Sequence, residues 1–260
     1  MRLSCSKRDS FSYYNNLIVT LLLTNFVFVK KTYRHLFFDL DHTLWDFEKN
    51  SELTMRRLYD EYQLADLGIA DFDTFYKQYT IHNDKLWDRF RNGYIKREEL
   101  RWKRMWLTLL DFRVADTALS HEISSAYLEI LPSQTILMPH AKEVLEYCKD
   151  KYVLHLITNG FETTQWQKLH YSGISSYFGQ MISSEKSNSM KPHREIFDYA
   201  LQTTGADAAS SIMIGDALEI DIMGAQNAGW EQVYYNPAKL VHDRKPTYEI
   251  HHLEDLLTIF

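Results

Sequence analysis

The stretch Phe37–Trp45, FFDLDHTLW, carries the apolar run begun by His35 and Leu36 straight into two aspartates separated by a single leucine. In extended chain, residues two apart project to the same side, so Asp39 and Asp41 share a face. Like charges set so close at the end of an apolar segment raise the energy unless a cation or a proton offsets them. The rest of the chain has to supply that offset.

Working outward, the character of the sequence changes after Thr43. From about Ser51 to Leu131 it reads as successive amphipathic helices, among them SELTMRRLYDEYQL, DFDTFYKQYTIHNDKLWDRF and REELRWKRMWLTLLDF. From Tyr152 onward, short β-rich runs alternate with helical stretches: YVLHLIT then TQWQKLHYSG, QMISS then PHREIFDYALQTTG, SSIMIG then IDIMGAQNAG, and finally EQVYY. That alternation predicts a parallel sheet with crossover helices, an α/β Rossmann-like core. RHLFFDL joins the sheet from before a helical insertion. The expected division is an amino-terminal extension over 1–31, a core built from 32–48 and 133–260, and a helical bundle cap over 49–132.

In a sheet of this kind, ligands gather beyond the carboxyl ends of the strands. The residues standing there are Asp39 and Asp41, then Thr158 and Asn159, then Gly215 and Asp216, while Lys191 precedes the helix that begins PHREIF. Any one of these is an ordinary cap or turn residue taken alone. Together with Asp221 they set four carboxylates against one lysine, and a divalent cation is the simplest remedy. Oxygen ligands without His or Cys favour Mg²⁺ over zinc. Carboxylates, a lysine, a threonine hydroxyl and the backbone of TNG suit a phosphoryl group, so phosphoryl transfer is the indicated chemistry.

DLDHTL, LITNG, MKP and GDALEID, in this order and setting, resemble the four motifs of the haloacid dehalogenase superfamily. The resemblance covers roughly 33–260. It implies Asp39 as a nucleophile forming an aspartyl phosphate, and Asp41 as the group that protonates the leaving oxygen and then activates water. A carboxylate suits this role because its acyl phosphate is itself labile to water. Thr158, Asn159 and Gly160 are implied as holders of the phosphoryl oxygens, and Lys191 as the charge that offsets nucleophile and phosphate. Mg²⁺ would take Asp39, the carbonyl of Asp41 and Asp216, with Asp221 orienting water or Lys191 from outside. Within the family, Asp41 and Asp216 speak against dehalogenation and phosphonate hydrolysis, and transport ATPases need membrane spans that are absent; sugar phosphomutases share the Asp pair.

The insertion is similar to the family's helical cap. HNDKLWDRFRNGYIKREELRWKRMW and FDLDHTLWDFEKNS resemble the pyrimidine 5′-nucleotidase branch, with Lys96 standing where a small hydroxyl residue is expected. The implied function is a Mg²⁺-dependent phosphatase acting on pyrimidine nucleoside monophosphates. A sugar-phosphate phosphatase or mutase, and a catalytically silent regulatory protein, are the alternatives. A nucleobase wants planar faces and a few hydrogen-bonding groups, which Trp45, Phe47, Asn83, Trp87 and Tyr94 supply. Trp102 and Trp106, at i and i+4, are expected on a buried helix face. Arg89, Arg91 and Arg97 are expected in solvent, one of them reaching substrate on cap closure. His42 is expected to point away from the two aspartates by strand alternation.

Composition sets the outer limits. With 45% hydrophobic and 14% aromatic residues the chain can bury a substantial core, and its net charge of −6 argues against binding a nucleic acid polymer. Two cysteines, Cys5 and Cys148, offer no disulfide framework, and a reducing, cytoplasmic setting is expected. Leu17–Val29, LIVTLLLTNFVFV, is short of the about 20 residues a spanning helix needs, and no stable membrane association is expected. The expectation there is an over-extended gene start, the natural chain beginning near Val29, with a weak anchor and a cleaved signal as alternatives. The pattern sets no oligomeric state.

Overall fold

The computed structural model describes residues 32–260. The expectations for the amino-terminal extension lie outside the described residues. Tyr33–Phe260 forms one compact unit.

β1 (His35–Phe38) is the centre of a six-stranded sheet. β2 (Val153–Thr158), β3 (Phe178–Ser183), β4 (Ser211–Gly215), β5 (Glu231–Tyr235) and β6 (Tyr248–Ile250) complete it in the order β3-β2-β1-β4-β5-β6, every pair parallel. Alternation along β1 sends Leu36 and Phe38 into the larger core and Phe37 into a second core on the opposite face, with Ile157, Phe197, Met213 and Trp230. β6 was not foreseen: at three residues with two of them exposed, it lacks the apolar run that marks a buried strand.

The sheet's register positions the site. Phe38, the last residue of β1, pairs with Leu156 on one side and Ile214 on the other, and β2 runs on by two residues and β4 by one, so the three carboxyl ends stand side by side. The Asp39 amide still donates to Ile214 O at 2.9 Å, and there the strand stops.

Between β1 and β2 lie α1 (Phe47–Glu61), α2 (Phe72–Arg91), α3 (Arg97–Asp111) and α4 (Thr117–Ile130). Asp46, Asp71 and Asp116 accept from the first-turn amides of α1, α2 and α4 and so start those helices. At α3 the cap residue is Lys96, and Glu99 reaches back to accept from its amide at 3.1 Å; this is one half of a capping box, the half a cap hydroxyl would not itself make. Trp102 and Trp106 correct the expectation made for them. Both are half-buried, and the buried face of α3 is instead Leu100, Arg104, Met105, Thr108 and Leu109. Burying the Arg104 guanidinium is made tolerable by Asn83 Oδ1 at 2.9 Å and Leu100 O at 3.0 Å.

The chain returns through Ile136, which is tied to α1 by the buried side chain of Asn50: Nδ2 donates to Ile136 O at 2.8 Å and Oδ1 accepts from Ile136 N at 3.1 Å. Beyond it, α5 (Ala141–Cys148) and α6 (Glu162–Tyr171) flank β2, and α7 (Arg194–Thr204) follows the Lys191 turn. Cys148 is buried and its thiol is pushed up to about 11 by that burial, which leaves it unreactive. Among the described residues, no helix is long and apolar enough to cross a membrane.

Candidate active site

A cavity of about 260 Å³ opens over the strand ends, lined by Asp39, Asp41, Thr158, Asn159, Gly160, Lys191, Asp216 and Asp221 from the sheet side. His42, Phe47, Asn83, Asp84, Trp87 and Arg91 line it from the turn after β1 and from α1 and α2. Most of the residues singled out in the sequence therefore meet in one place.

Lys191 is the hub. Its side chain is 2% exposed, and Nζ lies 2.5 Å from Asp39 Oδ1, 2.6 Å from Asp221 Oδ1 and 2.8 Å from Ile157 O. Burial works against its charge, but the Asp221 and Asp39 carboxylates outweigh burial and hold it as an ammonium well above the usual lysine range. Its backbone is fixed by Asn159, whose Oδ1 accepts from Lys191 N at 2.8 Å and whose Nδ2 donates to Lys191 O at 2.9 Å. The Asn159 side chain is thus committed to placing the lysine. Asp221 Oδ2 accepts from Ala217 N at 3.1 Å, and Gly215 gives Asp221 its room: a Cβ there would stand 2.3 Å from Oδ2.

Thr158 Oγ1 accepts from Gly160 N at 3.0 Å and from Gln165 Nε2 at 2.7 Å. With two bonds accepted, the hydroxyl has its hydrogen left to give, which is what a phosphoryl oxygen needs. The Gly160 amide is spent on Thr158 rather than turned to the cavity.

Thr43 ties two of the motifs together. Its buried hydroxyl donates to Asp216 Oδ1 at 2.9 Å and accepts from Asp216 N at 3.1 Å, so the threonine of DLDHTL fixes the aspartate of GDALEID. One oxygen from each of Asp39, Asp216 and Asp221 lies within 4.8 Å of the others. Asp39 is pushed up to about 8, by burial above all and by Asp221 and Asp216 against the pull of Lys191. Asp216 is pushed up to about 7 by burial and by Asp221, against the Thr43 hydrogen bond and Lys191. Three carboxylates with one ammonium are short of positive charge, and hard oxygen donors in that state fit a divalent cation such as Mg²⁺.

Asp41 is a different case. Lys168 Nζ is 2.6 Å from Oδ1 and Gln165 Nε2 donates to Oδ2 at 2.9 Å. Burial alone would raise this carboxyl, but the Lys168 charge and the bonds from Lys168 and Gln165 overcome it and hold Asp41 below the ordinary value. Gln165 and Lys168 were missed by the sequence reading. No local signal marked them: only the packing of the helix after TNG turns these two polar residues, three apart, inward, where both are buried.

Three expectations are corrected, for Trp45, His42 and Tyr94. Trp45 is wholly buried in the main core, with Nε1 donating to Gln134 O at 3.3 Å, and it does not line the cavity. His42 does line it. The strand ends before Asp39, and His42 takes a left-handed conformation with φ 64°, so alternation no longer applies to its ring. Of the cap residues, Asn83, Trp87 and Phe47 reach the cavity, whereas Tyr94 is exposed. Arg91 lines the cavity; Arg97 instead pairs with Glu185 and stacks 4.2 Å over Phe161.

A haloacid dehalogenase-like hydrolase profile matches residues 33–229. The pyrimidine 5′-nucleotidase PynA of Streptococcus pneumoniae is 31% identical, over 86% of this chain and 94% of PynA. A glyceraldehyde 3-phosphate phosphatase of Pyrococcus abyssi is 30% identical over 86% of this chain and 92% of its own length. The crystal structure of the HAD-hydrolase YfnB of Bacillus subtilis, bound to magnesium, superimposes with a TM-score of 0.80 at 30% identity, covering 88% of this chain and 99% of that one. The chain belongs to the haloacid dehalogenase-like hydrolase family.

Proposed function

We propose that the chain is a Mg²⁺-dependent phosphatase that hydrolyses pyrimidine nucleoside monophosphates through an aspartyl phosphate on Asp39. The observation that carries this is the convergence of Asp39, Asp41, Thr158, Lys191 and Asp216 on one cavity wall at the carboxyl ends of three adjacent strands.

An Asp39 oxygen attacks phosphorus while the ester P–O bond breaks. The bonding pair leaves with the nucleoside oxygen; Asp41, ionised in the free chain, takes up a proton from solvent as the dianionic phosphoryl group binds beside it and gives that proton to the oxygen. Asp41, now ionised, takes a proton from the water that attacks the acyl phosphate, and inorganic phosphate departs with Asp41 protonated again. Lys191 balances the carboxylate and the phosphoryl group throughout, and the Thr158 hydroxyl donates to a phosphoryl oxygen. Mg²⁺, held by Asp39, Asp216 and the Asp41 carbonyl, would supply neutralisation of phosphoryl charge. Asp221 acts through Lys191. The four-helix insertion serves as the cap that excludes water.

The nucleoside would lie toward Phe47 and Trp87, with Asn83 and Asp84 at its polar edges. Beyond these the cavity adjoins a second one of about 520 Å³ between α1 and α2, which shares His42, Phe47, Asn83 and Asp84 and has Tyr76 and Tyr79 in its wall. Planar walls with a polar edge suit a base. The P. abyssi relative favours a second reading, a small sugar-phosphate phosphatase. Phosphate release from UMP, CMP and dTMP compared with glyceraldehyde 3-phosphate and hexose phosphates separates them. Higher kcat/KM on the nucleotides is expected; preference for the sugars overturns the nucleotide reading, and no release from any ester overturns both.

A further inference from the structure

Lys168 and Gln165 belong to none of the four motifs, yet both are among the most buried polar side chains of the described residues, at 2% and 1% exposure. A buried ammonium is costly unless paired, and a buried ion pair contributes little stability over well-packed apolar residues. The geometry gives this pair another use. Lys168 takes one oxygen of Asp41 and Gln165 the other. The same Gln165 amide also holds Thr158 Oγ1, so the proton donor and the phosphoryl-binding hydroxyl are fixed by one side chain. Gly160 makes the reach feasible, since a Cβ there would stand 2.5 Å from Gln165 Cδ. Lys168 is itself seated on aromatic faces, 4.4 Å from the centre of the Trp45 ring and 5.5 Å from that of Phe47.

We propose that Lys168 and Gln165 are positioning residues for Asp41: they fix its carboxyl group against the cavity wall beside Thr158, in the orientation from which it protonates the departing oxygen, with Trp45 as the platform for the lysine. This rests on the phosphatase reading of Asp41. The step served is breakage of the ester P–O bond, in which the bonding pair goes to the leaving oxygen and the Asp41 proton follows it.

The test is leaving-group dependence. kcat/KM, which reports formation of the phosphoenzyme, is measured for the full chain and for Lys168→Met and Gln165→Leu with UMP, phenyl phosphate and 2,4-dinitrophenyl phosphate. Dinitrophenolate departs without a proton, so Lys168→Met should lose about 100-fold on UMP and less than about threefold on the dinitrophenyl ester. Gln165→Leu should show the same slope at about tenfold, and it carries the test if Lys168→Met melts below the assay temperature. An equal loss on all three esters, or no loss on UMP, overturns the proposal. The underlying reading fails separately, in the wild type: a steep fall from dinitrophenyl to phenyl ester there would mean that Asp41 gives no proton at all.

Discussion

Two buried lysines serve aspartates two residues apart, and they leave those aspartates in opposite states. On the β4 side, Lys191 faces Asp39 and Asp221 with Asp216 alongside, and Asp39 and Asp216 are pushed above the ordinary carboxylate range. On the α6 side, Lys168 faces Asp41 alone with an amide to help, and Asp41 is pulled below that range. Residue type is the same, but the Asp39 side chain is 12% exposed against 25% for Asp41, so burial and the ratio of cations to carboxylates both drive the two apart. The crowded side has room for a further cation and the α6 side does not call for one.

The largest way to break the comparison is at Asp39. Asp39→Asn should lower phosphate release from any monoester by about 10³-fold or more, because nucleophilic catalysis is lost outright. A variant retaining a tenth of wild-type turnover would refute attack by Asp39.

Exchanging the lysines comes next. Lys191→Met leaves buried carboxylates without their ammonium and should cost about 3–5 kcal/mol in urea unfolding at neutral pH. Lys168→Met should cost less, about 1–2 kcal/mol, since the Asp41 side chain is a quarter exposed and water can take the lysine's place. Equal costs would mean that neither burial nor carboxylate crowding separates the two sides.

The pH response sharpens the same contrast. With Asp39 near 8 and Asp216 near 7, the folded metal-free chain keeps protons that the unfolded chain gives up from about pH 4 upward. Stability contributed by these groups is therefore full below that pH and lost as pH rises through 7 to 8. A cation that replaces the protons removes the loss, so saturating Mg²⁺ should raise Tm more at pH 8 than at pH 5, by about 2–3 kcal/mol equivalent at a hundredfold excess over Kd. An equal rise at both pH values counts against the carboxylate site.

The smallest effect is expected at Thr43. Thr43→Val keeps the shape and removes the bond to Asp216 Oδ1, and Mg²⁺ affinity measured by calorimetry should fall about tenfold. Unchanged affinity would mean that the Thr43 bond does not orient Asp216 for the metal.

How much of this was legible beforehand follows a physical line. The five main strands and the convergence of Asp39, Asp41, Thr158, Lys191 and Asp216 could be read because strand period and strand-end position are local properties. Side-chain partnerships across the fold could not. Thr43 meets Asp216 only because β1 and β4 are neighbours in register, and Lys168 meets Asp41 only because α6 packs back over the turn after β1. Trp45 misled for the same reason: an aromatic next to a catalytic motif can face a ligand or the core, and here it lies beneath the lysine that holds Asp41. His42 misled because alternation was carried past the last strand residue.

The two-way clamp of Asn159 on Lys191 has a chemical consequence for the protein's lifetime. Asn159 and Gly160 form an Asn-Gly sequence, the arrangement in which the following amide nitrogen most readily attacks the side-chain carbonyl and expels ammonia. In the fold, the Gly160 amide is bonded to Thr158 and both ends of the Asn159 amide are bonded to the Lys191 backbone, so neither reacting partner is free to turn. Unfolding releases both. An aspartate formed there would set a carboxylate against the Lys191 carbonyl and unhook the catalytic lysine, so each excursion to the unfolded state, as heat makes more frequent, carries a chance of permanent inactivation.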